Sequence, residues 1–338
     1  MNLYVHVPFC VKKCNYCAFY STCPESIDWN GYIDGILRQL DEFHIENYKI
    51  NTLFFGGGTP SLMPVRYAEQ IRNKINLRSN AEWTIEANPK TLGSLELKDW
   101  KDLGLNRLSV GAQSFDDDEL KFLGRIHSVR DSMELLNAAG NLGLRTSGDF
   151  IYGLPNHSVA DVVRLCDKIN ASGLKHASLY ELTIEKGTRF QNISQVSESL
   201  SAEMYCAIQS ALKLPRYEVS NYGEQCLHNA AIWAGGEYIG VGESAAGRIM
   251  KKDGWVETKI IDGKIVANKL TMGQRAIEMA ITGLRTERGI TLAALPAKVI
   301  NLNFVRQNPQ YFLSDSKSIK MTDSGLMLLD CLMKSLFN

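Results

Sequence analysis

The feature that most constrains this chain is a regular alternation of two patterns. Six short β-rich runs, Leu3–Val7, Thr52–Phe55, Trp83–Ala87, Arg107–Gly111, Thr146–Tyr152 and Ala177–Leu182, punctuate the first two-thirds. Between them lie amphipathic stretches, Trp29–Phe43, Val65–Ile75, Val129–Leu142, Ala160–Ala171 and Ala202–Leu212. In Val129–Leu142, Val129, Met133, Leu136 and Ala139 or Gly140 recur at helical spacing. Strands alternating with helices predict βαβ units around a parallel sheet. Six such units in about two hundred residues suit a partial (β/α)6 barrel of TIM type, since a full eightfold barrel takes about 250. After Leu214 the pattern changes. Residues 217–260 are rich in Gly and aromatics, and strands are expected at Trp255–Ile260 and Lys264–Lys269. From Met272 the chain reads as helical, closing on Thr322-Asp323-Ser324-Gly325 and an apolar helix over Leu326–Leu336. The expected division is a barrel over residues 1–214 and a smaller C-terminal accessory α+β domain over 215–338.

Composition narrows the partners. Lys plus Arg and Asp plus Glu both number 37, so there is no basic surplus of the kind nucleic-acid binding calls for. No run of eighteen apolar residues predicts a membrane span. The N-terminal MNLYVHVPFC lacks the charged and apolar regions of a secretory signal, so a cytoplasmic location is expected. In that reducing setting eight cysteines point to metal or redox chemistry rather than disulfides. Cys23, Cys166, Cys206, Cys226 and Cys331 are scattered and read mostly as packing residues.

Cys10, Cys14 and Cys17 are not scattered. They follow the first strand in a C-x3-C-x2-C spacing that can converge on one face of a four-iron cluster. Such clusters ordinarily take four protein ligands, so three leave one iron open to a small molecule. Lys12 and Lys13 would offset part of the negative charge. A structural zinc site is the alternative, but it needs a second ligand pair, and only Cys23 or His6 stands nearby.

The segment YVHVPFCVKKCNYCAFYS resembles the signature of the radical S-adenosylmethionine (radical SAM) superfamily. Within it, the similarity is to the branch of oxygen-independent coproporphyrinogen III oxidase and the heme chaperones. That resemblance implies a [4Fe-4S] cluster on Cys10, Cys14 and Cys17, with S-adenosylmethionine on the open iron. Phe55-Gly56-Gly57-Gly58-Thr59-Pro60, by itself either a tight βα turn or a backbone cradle, is similar to the family's GGGTP segment. It would place Gly57, Gly58 and Thr59 at the amino group of the cofactor. Glu86, at the end of the third run, corresponds to a ribose contact, and strand ends on that face of a barrel collect active-site residues. Gln113, Arg125 and Asp149 match further cofactor positions, as do Tyr4, Tyr16, Thr183 and Ala246. The similarity continues through SLYELTIEKGT, YEVSNY, AIEMAITGLRTERGI and KMTDSGLMLLD.

Two features separate the oxidase from the chaperones. The oxidase carries a further cysteine two positions after the third ligand, where this chain has Phe19, and a long extension before the cluster loop. In the other direction, His228-Asn229-Ala230-Ala231-Ile232-Trp233 resembles the HNxxYW motif of the chaperones, with Ile232 in place of its tyrosine. The resemblance makes His228 a heme ligand, for which a neutral imidazole is suited. A histidine hydrogen-bonded inside the tail, and Cys226 as a thiolate ligand, are the alternatives. Ala246 stands where relatives often have histidine. The implied activity is heme binding and transfer to an acceptor protein, with a reductant for the cluster and a homodimer among the assemblies allowed. The competing reading is a coproporphyrinogen III oxidase that removes propionate carboxyls by way of a 5′-deoxyadenosyl radical.

Overall fold

The computed structural model describes residues 1–296 and 299–337. The expected succession is present: β1 (Asn2–Val7), α1 (Trp29–Glu42), β2 (Lys49–Gly57), α2 (Val65–Lys74), β3 (Asn76–Ala87), α3 (Ser94–Leu103), β4 (Arg107–Gln113), α4 (Asp117–Leu123), α5 (Val129–Asn141), β5 (Arg145–Tyr152), α6 (Val159–Ala171), β6 (His176–Glu181) and α7 (Glu198–Ala211). Local chemistry sets many of the helix starts. Ser128 and Asp131 form a reciprocal capping box at α5, and Ser158 and Asp161 do the same at α6. Ser197 caps α7 and lets it begin four residues before the apolar pattern does. Helices α3 and α4 were not anticipated. Only Leu97 and Trp100 of α3, and Leu120 and Leu123 of α4, are buried, too few to show a stripe.

β1 to β6 pair in parallel in chain order. The sheet then continues into the tail. β7 (Asn221–Gly223) closes the β6 edge in antiparallel register, and α8 (Leu227–Trp233) leads to β8 (Tyr238–Val241), which lies parallel to β1 with Asn2 opposite Tyr238. β9 (Ala246–Lys251), β10 (Gly254–Ile261) and β11 (Lys264–Lys269) extend that edge as a meander, completing eleven strands. The strands within residues 221–269 thus belong to the barrel sheet.

A second core begins with α9 (Met272–Leu284). Against it pack β12 (Ile290–Thr291), α10 (Leu302–Gln307), β13 (Phe312–Ser314), β14 (Ser318–Met321), α11 (Asp323–Met327) and α12 (Leu329–Leu336). The three strands form their own antiparallel sheet. The final helix expected over Leu326–Leu336 is two helices, broken at Leu328.

The main core fills the layer between sheet and helices. Phe55, Trp83 and Trp100 meet edge-to-face there, with centroids 5.8–6.1 Å apart. Strand alternation sends Leu53, Phe55, Trp83, Ile85, Leu108 and Val110 outward into this layer. The inward positions are therefore a different set, and they are polar.

Candidate cofactor site

The inner face and the C-terminal ends of β2–β6, with the loop after β1, enclose a cavity of about 500 Å³. Barrel interiors are ordinarily filled by branched apolar side chains. Here Glu86, Arg107, Ser109, Asp149 and Ser178 point inward, and the space stays open.

The loop after β1 carries Cys10, Cys14 and Cys17 to the mouth, where all three line the cavity half-buried. Backbone bonds hold it there. Cys10 N–H donates to Thr22 O at 2.9 Å, and Asn15 N–H to Leu123 O at 3.0 Å. The Asn15 amide adds a bond to Phe122 O at 2.8 Å. Two sulfurs already face donors: Thr59 Oγ1 lies 3.6 Å from Cys10 Sγ, and Arg125 Nη1 lies 3.1 Å from Cys14 Sγ. Burial pushes the Cys10 and Cys17 thiols up, against the opposing hydrogen bonds from Thr59 and from the Phe19 backbone.

This donor set fits a cluster. Among the described residues no three Cys, His, Asp or Glu side chains close on a single ion-sized point. A tetrahedral zinc needs four ligands about 2.0–2.3 Å from one centre. A four-iron cluster, whose ligands bind separate irons, does not need that convergence.

The glycine run at the end of β2 is a close-approach site. A Cβ on Gly58 would lie 2.7 Å from Phe9 O and 3.0 Å from Cys10 Sγ, so only glycine lets the cluster loop seat against it. Across the cavity, Arg125 Nη2 donates to Gly111 O at 2.9 Å, while its buried Nε has no partner. Gln113 takes φ +67°, a left-handed conformation that turns it into the cavity at the end of β4.

Two half-buried acids line the cavity and couple electrostatically. Burial, reinforced by the charge of Asp149, pushes Glu86 up to about 8, against the hydrogen bond it accepts from Gly57 N–H at 3.1 Å. Burial also raises Asp149, which accepts from Ser178 Oγ at 2.7 Å and Ser109 Oγ at 2.9 Å. At neutral pH Glu86 is largely a neutral acid, able to donate a hydrogen bond as well as accept one.

Of the residues singled out in the sequence, Cys10, Cys14, Cys17, Tyr16, Gly57, Gly58, Thr59, Glu86, Gln113, Arg125, Asp149 and Thr183 share this cavity. Tyr4 stands behind it with its hydroxyl 3.0 Å from His6 Nδ1. Ala246 lies on β9 opposite Lys259, away from the lining. His228 is 2% exposed, beneath the cavity; its Nδ1 is 2.7 Å from Thr52 Oγ1, Phe54 packs on its ring, and Nε2 has no partner. Sequence reasoning missed Arg107, Asn221 and Asn229, which also line the cavity. A charged first residue in the apolar run RLSVG was the available signal for Arg107.

Comparisons with known proteins agree with this geometry. The profile of the radical SAM superfamily matches residues 4–169. The heme chaperone HemW of Buchnera aphidicola (from Schizaphis graminum) is 36% identical over 269 residues, covering 75% of this chain and 72% of its own. HemW of Escherichia coli is 35% identical over 270 residues, covering 75% and 71%. The mitochondrial radical S-adenosyl methionine domain-containing protein 1 of Bos taurus is 32% identical over 375, covering 97% and 82%. The structure of coproporphyrinogen III oxidase (HemN) from Escherichia coli, a radical SAM enzyme, superposes with a TM-score of 0.83 over 98% of this chain and 89% of its own; at 18% identity it speaks to the fold. Among the described residues no helix is long and apolar enough to cross a membrane. With a partial barrel, a three-cysteine loop over its mouth and HemW relatives over three-quarters of its length, this chain belongs to the HemW family of the radical SAM superfamily.

Proposed function

We propose that this protein binds heme and passes it to an acceptor protein, using a radical SAM barrel that holds a [4Fe-4S] cluster and S-adenosylmethionine. The observation that carries the reading is the similarity to curated heme chaperones at 35–36% identity. Phe19, in place of the oxidase's further cysteine, points the same way.

Cys10, Cys14 and Cys17 would hold the cluster, which supplies an iron for the cofactor and an electron to its sulfonium. Gly57, Gly58 and Thr59 would receive the amino group of S-adenosylmethionine, and Glu86 its ribose hydroxyls. Tyr16, Gln113, Arg125, Asp149 and Thr183 would line the rest of its site. Tyr4 and Ala246 would act from behind that wall. Replacing Gly58 with alanine is expected to push the loop off its seat; at least half the iron should be lost after reconstitution with iron and sulfide, as should occur for Cys14→Ala. Full iron retention in both variants would sink the cluster assignment.

For heme, His228 is the proposed ligand. Burial and then the charge of Arg107 lower its ring to about 3, so the imidazole stays neutral, and its Nε2 is free. Reaching it requires α8 to swing away from the barrel, because the side chain is enclosed. The test is a heme titration of full-length protein followed by the Soret band. His228→Ala is expected to lose or shift the band and weaken binding about tenfold or more. An unchanged band returns His228 to a structural role and leaves Cys226 as the next ligand to test. Conversion of coproporphyrinogen III to protoporphyrinogen by the reduced, reconstituted protein would replace the chaperone reading with the oxidase.

A further inference from the structure

Beneath the cofactor residues the barrel holds a buried cation without a protein partner. Arg107 is the first residue of β4, is 3% exposed, and lines the cavity. With Ser109, Gly111 and Gln113 it forms one inward column, running from the closed end of the barrel to its mouth. A buried guanidinium is ordinarily paired and hydrogen-bonded, because desolvating it unpaired is unfavourable. The neighbouring acids are engaged elsewhere. Glu82 accepts from Arg145 Nη1 and from the N–H groups of Leu227 and His228. Asp149 accepts from three serine hydroxyls, and Glu86 from Gly57 N–H. Among the described residues, the Arg107 guanidinium makes no hydrogen bond or ion pair with the protein; only the carboxyl groups of Glu82 and Asp149, at longer range, bear on its charge.

Five N–H donors in a planar fork, open to a cavity, match a bidentate oxyanion. The surroundings favour one with a single charge. Asp149 lines the same space and, ionised, would repel a phosphate dianion more than a carboxylate. Neutral polar groups, Ser178, Asn221 and Asn229, complete that end.

We propose that Arg107 anchors a second ligand compartment at the closed end of the barrel, below the S-adenosylmethionine residues, which takes the carboxylate of a small organic acid. This ligand is distinct from the cofactor, whose own carboxylate would be taken up at the mouth, where Cys10, Cys14 and Cys17 would hold the cluster.

The test uses full-length reconstituted protein and ¹³C-labelled propionate observed by NMR, with inorganic phosphate as a second probe, each with and without saturating S-adenosylmethionine. Propionate is expected to bind saturably at one site, unaffected by S-adenosylmethionine, with phosphate at least about tenfold weaker. Arg107→Met should weaken propionate by roughly ten- to a hundredfold. Should that variant fail to fold, Arg107→Lys keeps the charge but loses the fork, and should weaken propionate about tenfold with an unchanged circular dichroism spectrum. Absence of saturable propionate binding, wild-type affinity in a folded variant, or phosphate binding as tight as propionate would overturn the proposal. Competition between propionate and S-adenosylmethionine would overturn it too, assigning Arg107 to the cofactor. A protein that binds propionate but no S-adenosylmethionine would count against the cofactor reading alone.

Discussion

Replacing Glu82 with alanine is expected to lower the unfolding free energy by about 3–5 kcal/mol. Its side chain is 1% exposed and accepts hydrogen bonds from Arg145 Nη1 at 2.9 Å, Leu227 N–H at 3.1 Å and His228 N–H at 3.0 Å. Those last two N–H groups open α8, the short helix under the barrel. Each loses a charged acceptor in the variant, at about 1.5–3 kcal/mol apiece. The Arg145 bond adds less, because that side chain is 37% exposed and water screens it. Urea denaturation of the cofactor-free protein measures the loss. Glu82→Gln keeps an acceptor and is expected to fall well short of the alanine loss. A loss under about 1 kcal/mol for Glu82→Ala would show that α8 is held by something else.

Glu86 carries the second large effect, and it reads out in pH. Folded, its carboxyl is pushed to about 8 from an ordinary value of 4.5, chiefly by burial. The folded state therefore keeps a proton that the unfolded state has released, and this group favours folding most at low pH. As pH rises from about 4.5 to 8, its contribution falls by roughly 1.4 kcal/mol per unit. Glu86→Gln removes the titration while keeping a neutral acceptor for Gly57 N–H. The variant is expected to gain on the wild type steadily across that window, and to differ little from it at the acid end. Parallel stability curves for the two proteins between pH 5 and 8 would show that Glu86 is already ionised in the fold.

Much of the site was legible because it is built from strand ends. Gly57, Gly58, Thr59, Glu86 and Gln113 each sit where a parallel strand finishes or the next loop starts, and a βα succession brings such positions to one rim, whereas Asp149 lies in the middle of β5 and joins them from the inner face. The cysteine triplet was legible for a different reason. Its spacing is local, so loop geometry alone keeps the three thiols together. Ala246 and His228 were harder to place, because both lie in the tail, where motif matching says nothing about depth. His228 proves to be enclosed between Thr52 and Phe54, two residues of β2 far from it in the chain.

The sequence by itself determined the alternation of elements, the parallel sheet and the cysteine loop at its mouth. Those follow from period-2 and period-3.6 patterns and from contacts within a few residues. Tertiary structure alone decided how the barrel is completed. β8 pairs with β1 although more than two hundred residues separate them, and that pairing carries the tail into the first sheet. It also decided the character of the interior. Strand alternation says that Arg107, Ser109 and Asp149 share a face with Glu86, but not whether that face meets solvent, helix or cavity. Curvature of the sheet turns it inward, and a column of polar residues that could have been ordinary surface becomes the wall of a site.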